Sequence, residues 1–257
     1  MTVMMTATVW GHEFFVMPDE VREYKAGDTV QLNALSTHYF TVGEELEPAE
    51  VNEVYIVKNG QKAGGSLPLE RNAGRVWYET RYRLTDNTPV IVVGNRLGGF
   101  YGTFTDGSYA DGTRAEIAAA HPGKTIARVE YFAKYSKLYL NPAAGDTSFS
   151  APLGHELEII PLDNPAKLKP GSFTRAKFRV LYQGQPLANA EVSATYDYYD
   201  YKTANAYAQT ARTGANGEVI FKIDHGGLWL VRISDTRRSS RGADEDNLAA
   251  MLVFIAR

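Results

Sequence analysis

Apolar residues along the chain recur in short alternating or continuous runs that Gly, Asn and Asp separate, among them residues 29–35, 76–84 and 90–93. Alternation with a period of two predicts β-strands, and the many β-branched and aromatic residues in these runs favour the same state. Helical periodicity is fair only over Arg114–Ala120, and His121-Pro122-Gly123 stops that segment. We therefore expect an all-β protein with one short helix.

A cluster of turn signals near residues 162–172 predicts a domain boundary. Asp163-Asn164-Pro165 breaks one strand pattern, and Pro170-Gly171-Ser172 follows shortly after it. Beyond this seam, alternating runs predict about six further strands, which are enough for a sandwich with its own core. We therefore predict two β-sandwich domains in tandem, immunoglobulin-like or prealbumin-like, over residues 12–164 and 165–257.

Composition removes several classes of function. Lysine plus arginine number 27 and aspartate plus glutamate number 30, so the formal net charge is −3, and a general nucleic-acid binder is not expected. The 257 residues include no cysteine, which excludes disulfide scaffolds, thiolate metal sites and cysteine nucleophiles. No stretch approaches the roughly 20 apolar residues that cross a bilayer, so we expect no membrane span.

The first residues have part of the pattern of a secretory signal. Residues 1–11 are apolar or small and carry no charge, and Val9 and Gly11 occupy the small-residue positions that precede a cleavage site, although a basic segment before them is missing. We expect export to the periplasm, with His12 as the first residue after cleavage. The alternative is that residues 1–11 form a frayed N-terminal strand.

Three blocks in the second half, at residues 184–192, 213–221 and 227–231, resemble a transthyretin-like, or prealbumin-like, β-sandwich. The Asn216-Gly217 pair allows the positive φ of a tight hairpin, and Trp229 is a large anchor for a core. The resemblance implies a sandwich fold, and modules of this kind are usually spacers or interaction domains.

A wider resemblance covers nearly the full chain. The blocks at residues 12–18, 26–30, 38–44, 133–137 and 154–165 are similar to those of a bacterial exported family of unknown function, formerly grouped with nickel-uptake (NikM-like) periplasmic proteins. This resemblance implies a periplasmic protein of two sandwiches with a proposed link to nickel or cobalt handling.

The histidines give the main candidate chemistry. Once freed by cleavage, the α-amine and ring of His12 can chelate a metal ion, and His38 and Glu13 are candidate partner ligands. Nitrogen donors of this kind favour nickel, cobalt, copper or zinc. The acidic run at residues 44–50, with Glu53 beyond it, either supplies a carboxylate to such a site or forms a solvated loop edge. The alternative for His12 is that it only begins a strand.

A second candidate is the tyrosine-rich segment at residues 196–201, in which Tyr198, Tyr199 and Tyr201 alternate with acidic residues. Exposed tyrosines form rigid, amphipathic contact surfaces of the kind found at protein interfaces and carbohydrate platforms. The alternative is an edge strand whose rings pack on the sheet.

No motif of a hydrolase, a phosphate loop or a dinucleotide-binding fold is present, so we expect no catalysis and assign no catalytic residue. His121, His155 and His225 are expected to be turn or structural residues. The chain is accordingly predicted to be a periplasmic protein that binds a nickel- or cobalt-class ion and presents it to a membrane uptake system or another envelope protein. The alternative is a cell-envelope module that binds protein or carbohydrate through the tyrosine-rich surface.

Overall fold

The computed structural model describes residues 12–44, 46 and 52–257, so the predicted leader, residues 1–11, lies outside the described residues. Strands make up most of the regular structure, which confirms the all-β prediction. The strands are β1 (Glu13–Pro18), β2 (Thr29–Thr37), β3 (Asn52–Lys58), β4 (Gln61–Lys62), β5 (Glu70–Asn72), β6 (Trp77–Arg83), β7 (Val90–Phe104), β8 (Tyr109–Asp111), β9 (Ile126–Tyr139), β10 (Leu157–Pro161), β11 (Arg175–Tyr182), β12 (Gln185–Pro186), β13 (Glu191–Tyr196), β14 (Gln209–Arg212), β15 (Glu218–Lys222), β16 (Gly227–Arg238) and β17 (Glu245–Ala256).

The helix α1 (Arg114–Ala120) has the bounds that the sequence predicted. A capping box starts it: the Thr113 side chain accepts the Glu116 N–H, and the Glu116 carboxylate accepts the Thr113 N–H. Ile117 is its buried residue. In the part of the chain that the structure describes, no helix is long and apolar enough to cross a membrane.

The strands form three sheets. The first has the order β1-β2-β6-β5, and the third has the order β10-β11-β12 with β15 also paired to β11. Between them lies a nine-stranded central sheet of order β14-β13-β16-β17-β9-β7-β3-β4, with β8 paired to β7.

The central sheet is buried on both faces. Along β17, Met251 and Val253 belong to the core cluster shared with β1, β2 and β6, whereas Leu252 and Phe254 belong to the cluster shared with β10, β11 and β15. Successive side chains of a strand point to opposite faces, so a strand that is covered on both sides must be apolar throughout. This explains the continuous apolar run at residues 248–256.

Strand pairing crosses the predicted boundary between residues 12–164 and 165–257. The central sheet joins both halves, because β17 pairs in parallel with β9. Strand β10, assigned from sequence to the first half, pairs with β11 of the second half across the seam. Each core cluster therefore contains residues from both halves. The described strands form a β-sandwich architecture in which one central sheet is shared by the two large core clusters.

Candidate metal centre

Two of the predicted ligands lie side by side at one end of the first sheet. Strands β1 and β2 are antiparallel, with Glu13 opposite Thr37 and Phe14 opposite Ser36. Continuing this register by one residue places His12 opposite His38, where cross-strand side chains are nearest neighbours. Their rings indeed pack together, with centroids 4.1 Å apart and planes tilted by 46°.

The chain after β2 folds back and brings a carboxylate to this pair. A tight turn links Tyr39 and Val42, whose N–H donates to the Tyr39 carbonyl at 3.1 Å. The Glu44 N–H then donates to the Ser36 carbonyl at 3.3 Å. Gly43 fits this path because a Cβ there would lie 2.5 Å from the carbonyl oxygens of residues 75 and 76.

The Glu44 carboxylate contacts both histidines. Its Oε2 accepts the His38 N–H at 2.8 Å, lies 3.1 Å from His38 Nδ1 and lies 3.8 Å from His12 Nε2. Partial burial alone raises the pKa of Glu44, but the hydrogen bonds from His38 outweigh it and hold that pKa below its usual range. Glu44 is therefore an anion at neutral pH.

His12, His38 and Glu44 form the one group of three or more potential metal ligands found among the described residues, with ligand atoms all within 4.8 Å of one another. Two imidazoles and a carboxylate suit first-row transition metals such as zinc, nickel, cobalt and copper. Three protein ligands leave coordination positions open for water or another donor. The side chains are part-exposed, at 26%, 22% and 36% respectively, so an ion can reach them from solvent.

Glu13, named from sequence as a candidate partner ligand, lies outside this group. Neighbouring residues of a strand point to opposite sides. The Glu13 side chain is buried, where its Oε1 lies 2.7 Å from Arg232 Nε and accepts the Tyr207 hydroxyl. Glu44 stands beside the histidines instead.

The acidic run that contains Glu44 is only partly described. Glu44 takes the site position, whereas Glu53 is held elsewhere, 2.7 Å from Lys62 Nζ and accepting the Ser66 hydroxyl at 2.9 Å. Residues 45 and 47–50 lie outside the described residues. The sequence carried a signal for a carboxylate near His38, but nothing in it distinguished Glu44 from its acidic neighbours.

The predicted tyrosine surface lies in a loop. Strand β13 ends at Tyr196, so Tyr198, Tyr199 and Tyr201 are not on an edge strand, and we call residues 197–207 the tyrosine loop. Tyr198 is 82% exposed, and Tyr199 and Tyr201 are 43% and 40% exposed. These values fit a contact surface better than rings packed on a sheet.

The tyrosine loop touches the segments that carry the candidate ligands. The Asn205 N–H donates to the His38 carbonyl at 2.8 Å, and the Thr41 hydroxyl donates to Asp197 Oδ1 at 2.9 Å. No local sequence pattern indicates that Thr41 contacts Asp197, because more than 150 residues separate them in the chain. The two candidate sites are therefore neighbours in space.

The other three histidines lie apart from this group. His121 packs edge-on against Phe104 after α1, and His225 stacks on Tyr196 with centroids 4.0 Å apart. His155 is buried and stacks on Tyr135. These positions agree with the expected structural roles.

A family model described as a domain of unknown function (DUF4198) matches residues 9–237. The chain belongs to the DUF4198 family. No curated protein matches this DUF4198 member significantly in sequence. Similar solved structures include the D0-D1 domain of intimin, which is 14% identical with 95% of this chain and 98% of that chain covered at a TM-score of 0.23. Another is the fibronectin(III)-like modules of Clostridium thermocellum CbhA, 9% identical with 94% of each chain covered at a TM-score of 0.24. TM-scores this low carry no argument about fold or function.

Proposed function

We propose that this DUF4198 member is a non-catalytic protein that binds a divalent transition-metal ion at His12, His38 and Glu44. The observation that carries the proposal is the convergence of their ligand atoms within 4.8 Å. The sequence pattern had already singled out His12 and His38 for this chemistry, and β-strand register supplies the physical reason that they meet.

The geometry favours a metal ion that is bound reversibly and passed on, rather than a structural ion that stabilises the fold. All three side chains are partly open to solvent, and closed structural sites usually have four protein ligands. Open positions allow a second protein to add a donor and take the ion. We propose a nickel- or cobalt-class ion, with copper as a further candidate, because imidazole nitrogen suits these metals.

Periplasmic location and delivery to a membrane uptake system are further parts of the proposal. They are supported by the leader-like composition of residues 1–11. Cleavage after Gly11 would also free the α-amine of His12 as a fourth donor and the third nitrogen. The mass of the intact protein recovered from its native host tests this part: a chain beginning at His12 supports it, and a chain retaining residues 1–11 contradicts it.

Calorimetric titration with Ni²⁺, Co²⁺ and Cu²⁺ tests the site itself. We expect micromolar or tighter binding by the parent chain and at least about tenfold weaker binding by His12→Ala, His38→Ala and Glu44→Gln, which corresponds to about 1.4 kcal/mol. His121→Ala, which removes a histidine far from the group, is the matched control and should bind like the parent. Equal affinities for all four variants would overturn the proposal.

The exposure of the tyrosine loop favours a second candidate function, binding of an envelope protein or a carbohydrate. Tyr198→Ala combined with Tyr199→Ala should abolish the signal of the parent on a glycan array or in a pull-down from envelope extract. Tyr109→Ala is a suitable control because Tyr109 is a 68% exposed tyrosine on β8. A signal that survives in the double variant contradicts this candidate.

A further inference from the structure

The tyrosine loop is hydrogen-bonded to the turn that carries His38 and Glu44, two of the three candidate ligands. The His38 carbonyl accepts the Asn205 N–H at 2.8 Å, and Asp197 Oδ1 accepts the Thr41 hydroxyl at 2.9 Å. The same Asp197 oxygen accepts the Tyr198 N–H at 3.1 Å and the Tyr201 hydroxyl. One carboxylate oxygen therefore joins the turn to the tyrosine loop.

Thr41 is held in a backbone conformation that its side chain disfavours. Its φ is +69°, in the left-handed region that β-branched residues rarely occupy. Such a residue persists only where its surroundings fix it. The hydrogen bond to Asp197 is a contact that can do so, and Asp197 is itself anchored to the central sheet because its N–H donates to the Leu228 carbonyl at 2.9 Å.

The tyrosine loop also reaches the segment that carries the third ligand. The hydroxyl of Tyr207, the last residue of the loop, donates to Glu13, which directly follows His12. Arg232 of the central sheet lies 2.7 Å from the same carboxylate oxygen. The two segments that carry His12 and His38 are therefore both hydrogen-bonded to the tyrosine loop.

We infer that the tyrosine loop is the positioning element of the metal centre, with Asp197 and Tyr207 as positioning residues that do not touch the ion. This inference rests on the proposed metal binding. Coupling between two sites is reciprocal, so a bound ion that fixes His12 and His38 also restrains the tyrosine loop. The exposed face of Tyr198 then differs between the loaded and the empty protein.

The affinity of the full chain for Zn²⁺ tests the positioning role. Thr41→Val keeps the β-branched shape and removes the hydroxyl, whereas Thr41→Ser keeps the hydroxyl. We expect about tenfold weaker zinc binding for Thr41→Val, as for a lost hydrogen bond to a carboxylate, and near-parental binding for Thr41→Ser. Thr236→Val removes a comparable hydroxyl bond, 2.6 Å to Asn247, on the distant part of β16 and should leave the affinity unchanged.

Asp197→Ala is the second variant, since it removes the shared acceptor without changing residue 41. Its thermal midpoint shows whether it folds, and we expect a loss of zinc affinity similar to that of Thr41→Val. Where the parent binds no zinc, the same titrations and exchange measurements use Ni²⁺. A parent chain that binds none of Zn²⁺, Ni²⁺, Co²⁺ and Cu²⁺ contradicts both the proposed function and this inference. A parent that binds zinc, with Thr41→Val and Asp197→Ala binding as tightly as Thr236→Val, contradicts the inference alone.

Hydrogen–deuterium exchange distinguishes a positioning role of the tyrosine loop from a merely structural one, because zinc would not change the exchange of a loop that only stabilises the fold. Zinc should slow exchange of the amides of the tyrosine loop in the parent, including the Asn205 N–H that is bonded to His38. The same addition should have a much smaller effect in Thr41→Val. Exchange in the tyrosine loop that is unchanged by zinc bound to the parent would overturn the inferred coupling.

Discussion

Lys137 and Glu158 form a buried ion pair between the central sheet and the third sheet. Lys137 Nζ lies 2.8 Å from Glu158 Oε1, and the two side chains are 2% and 1% exposed. Burial lowers the pKa of Lys137. Burial alone raises the pKa of Glu158, but the Lys137 ammonium and the Leu153 N–H, which donates at 2.8 Å, hold it below its usual range. Glu158 is therefore a buried carboxylate at neutral pH, with Lys137 as its side-chain partner.

The substitution Lys137→Met removes the cation and leaves a buried carboxylate with only backbone donors. Breaking one side of a buried pair costs about 3–5 kcal/mol, because the remaining charge is not compensated. Adding Glu158→Gln removes that charge and keeps an oxygen that can accept the Leu153 N–H. The double variant should therefore be about 2 kcal/mol more stable than the sum of the two single effects predicts.

Equilibrium unfolding in urea, followed by tryptophan fluorescence to which the fully buried Trp229 contributes, gives these free energies. Lys222→Met is the matched control, because Lys222 lies the same 2.8 Å from Asp224 in a pair that is partly open to solvent, where the expected cost is below about 1 kcal/mol. The reasoning is refuted if Lys137→Met costs no more than Lys222→Met, or if the two single effects simply add in the double variant.

Burial, with the Lys137 charge nearby, lowers the pKa of His155 from 6.5 to about 4. As the pH falls, the unfolded chain is therefore protonated at His155 before the folded chain, and the free energy of unfolding should fall between pH 6.5 and 4 by roughly 3 kcal/mol more in the parent than in His155→Gln. Urea titrations at several pH values measure this difference. Gly94→Ala would place a Cβ 2.4 Å from Val16 Cγ2, and this overpacking should lower the free energy of unfolding by about 1–3 kcal/mol. Gly99→Ala on the same strand is the control, because its Cβ meets nothing within 4 Å. Equal melting temperatures of the two variants would contradict the prediction for Gly94. Removing bound zinc with a chelator should restore the faster amide exchange of the tyrosine loop, and persistent protection would contradict reversible coupling.

The site shows how far sequence reasoning reached. His12 and His38 were named as candidate ligands from residue type and position, and register brings their rings to 4.1 Å. Glu13 was named as a candidate partner ligand, and the acidic run at residues 44–50 was left open as a source of the carboxylate. Strand alternation turns Glu13 inward to Arg232. Glu44 is identified as the carboxylate beside the histidines only by the turn after β2, in which the Glu44 N–H donates to the Ser36 carbonyl.

The tyrosine segment shows the same limit. Its composition predicted a contact surface, which stays a prediction, and the structure shows that Tyr198 is exposed. Its contact with the turn at Thr41 joins positions far apart in the chain, and no local pattern encodes such a pairing. The pairing of β10 with β11 across the predicted seam near residues 162–172 was not visible in the sequence for a related reason. Turn residues mark the end of a strand, but they do not say with which strand the next one pairs.

The sequence by itself determined the all-β class and the short helix with the residues that end it, and it singled out the two histidines of the candidate centre. Period, helix-ending residues and donor chemistry are properties of neighbouring residues. Tertiary structure decided that β9 and β17 join both halves in one sheet, that Glu44 rather than Glu13 stands beside His12, and that the tyrosine loop lies against the same turn. These contacts depend on which faces are buried together, and burial is a property of the whole folded chain.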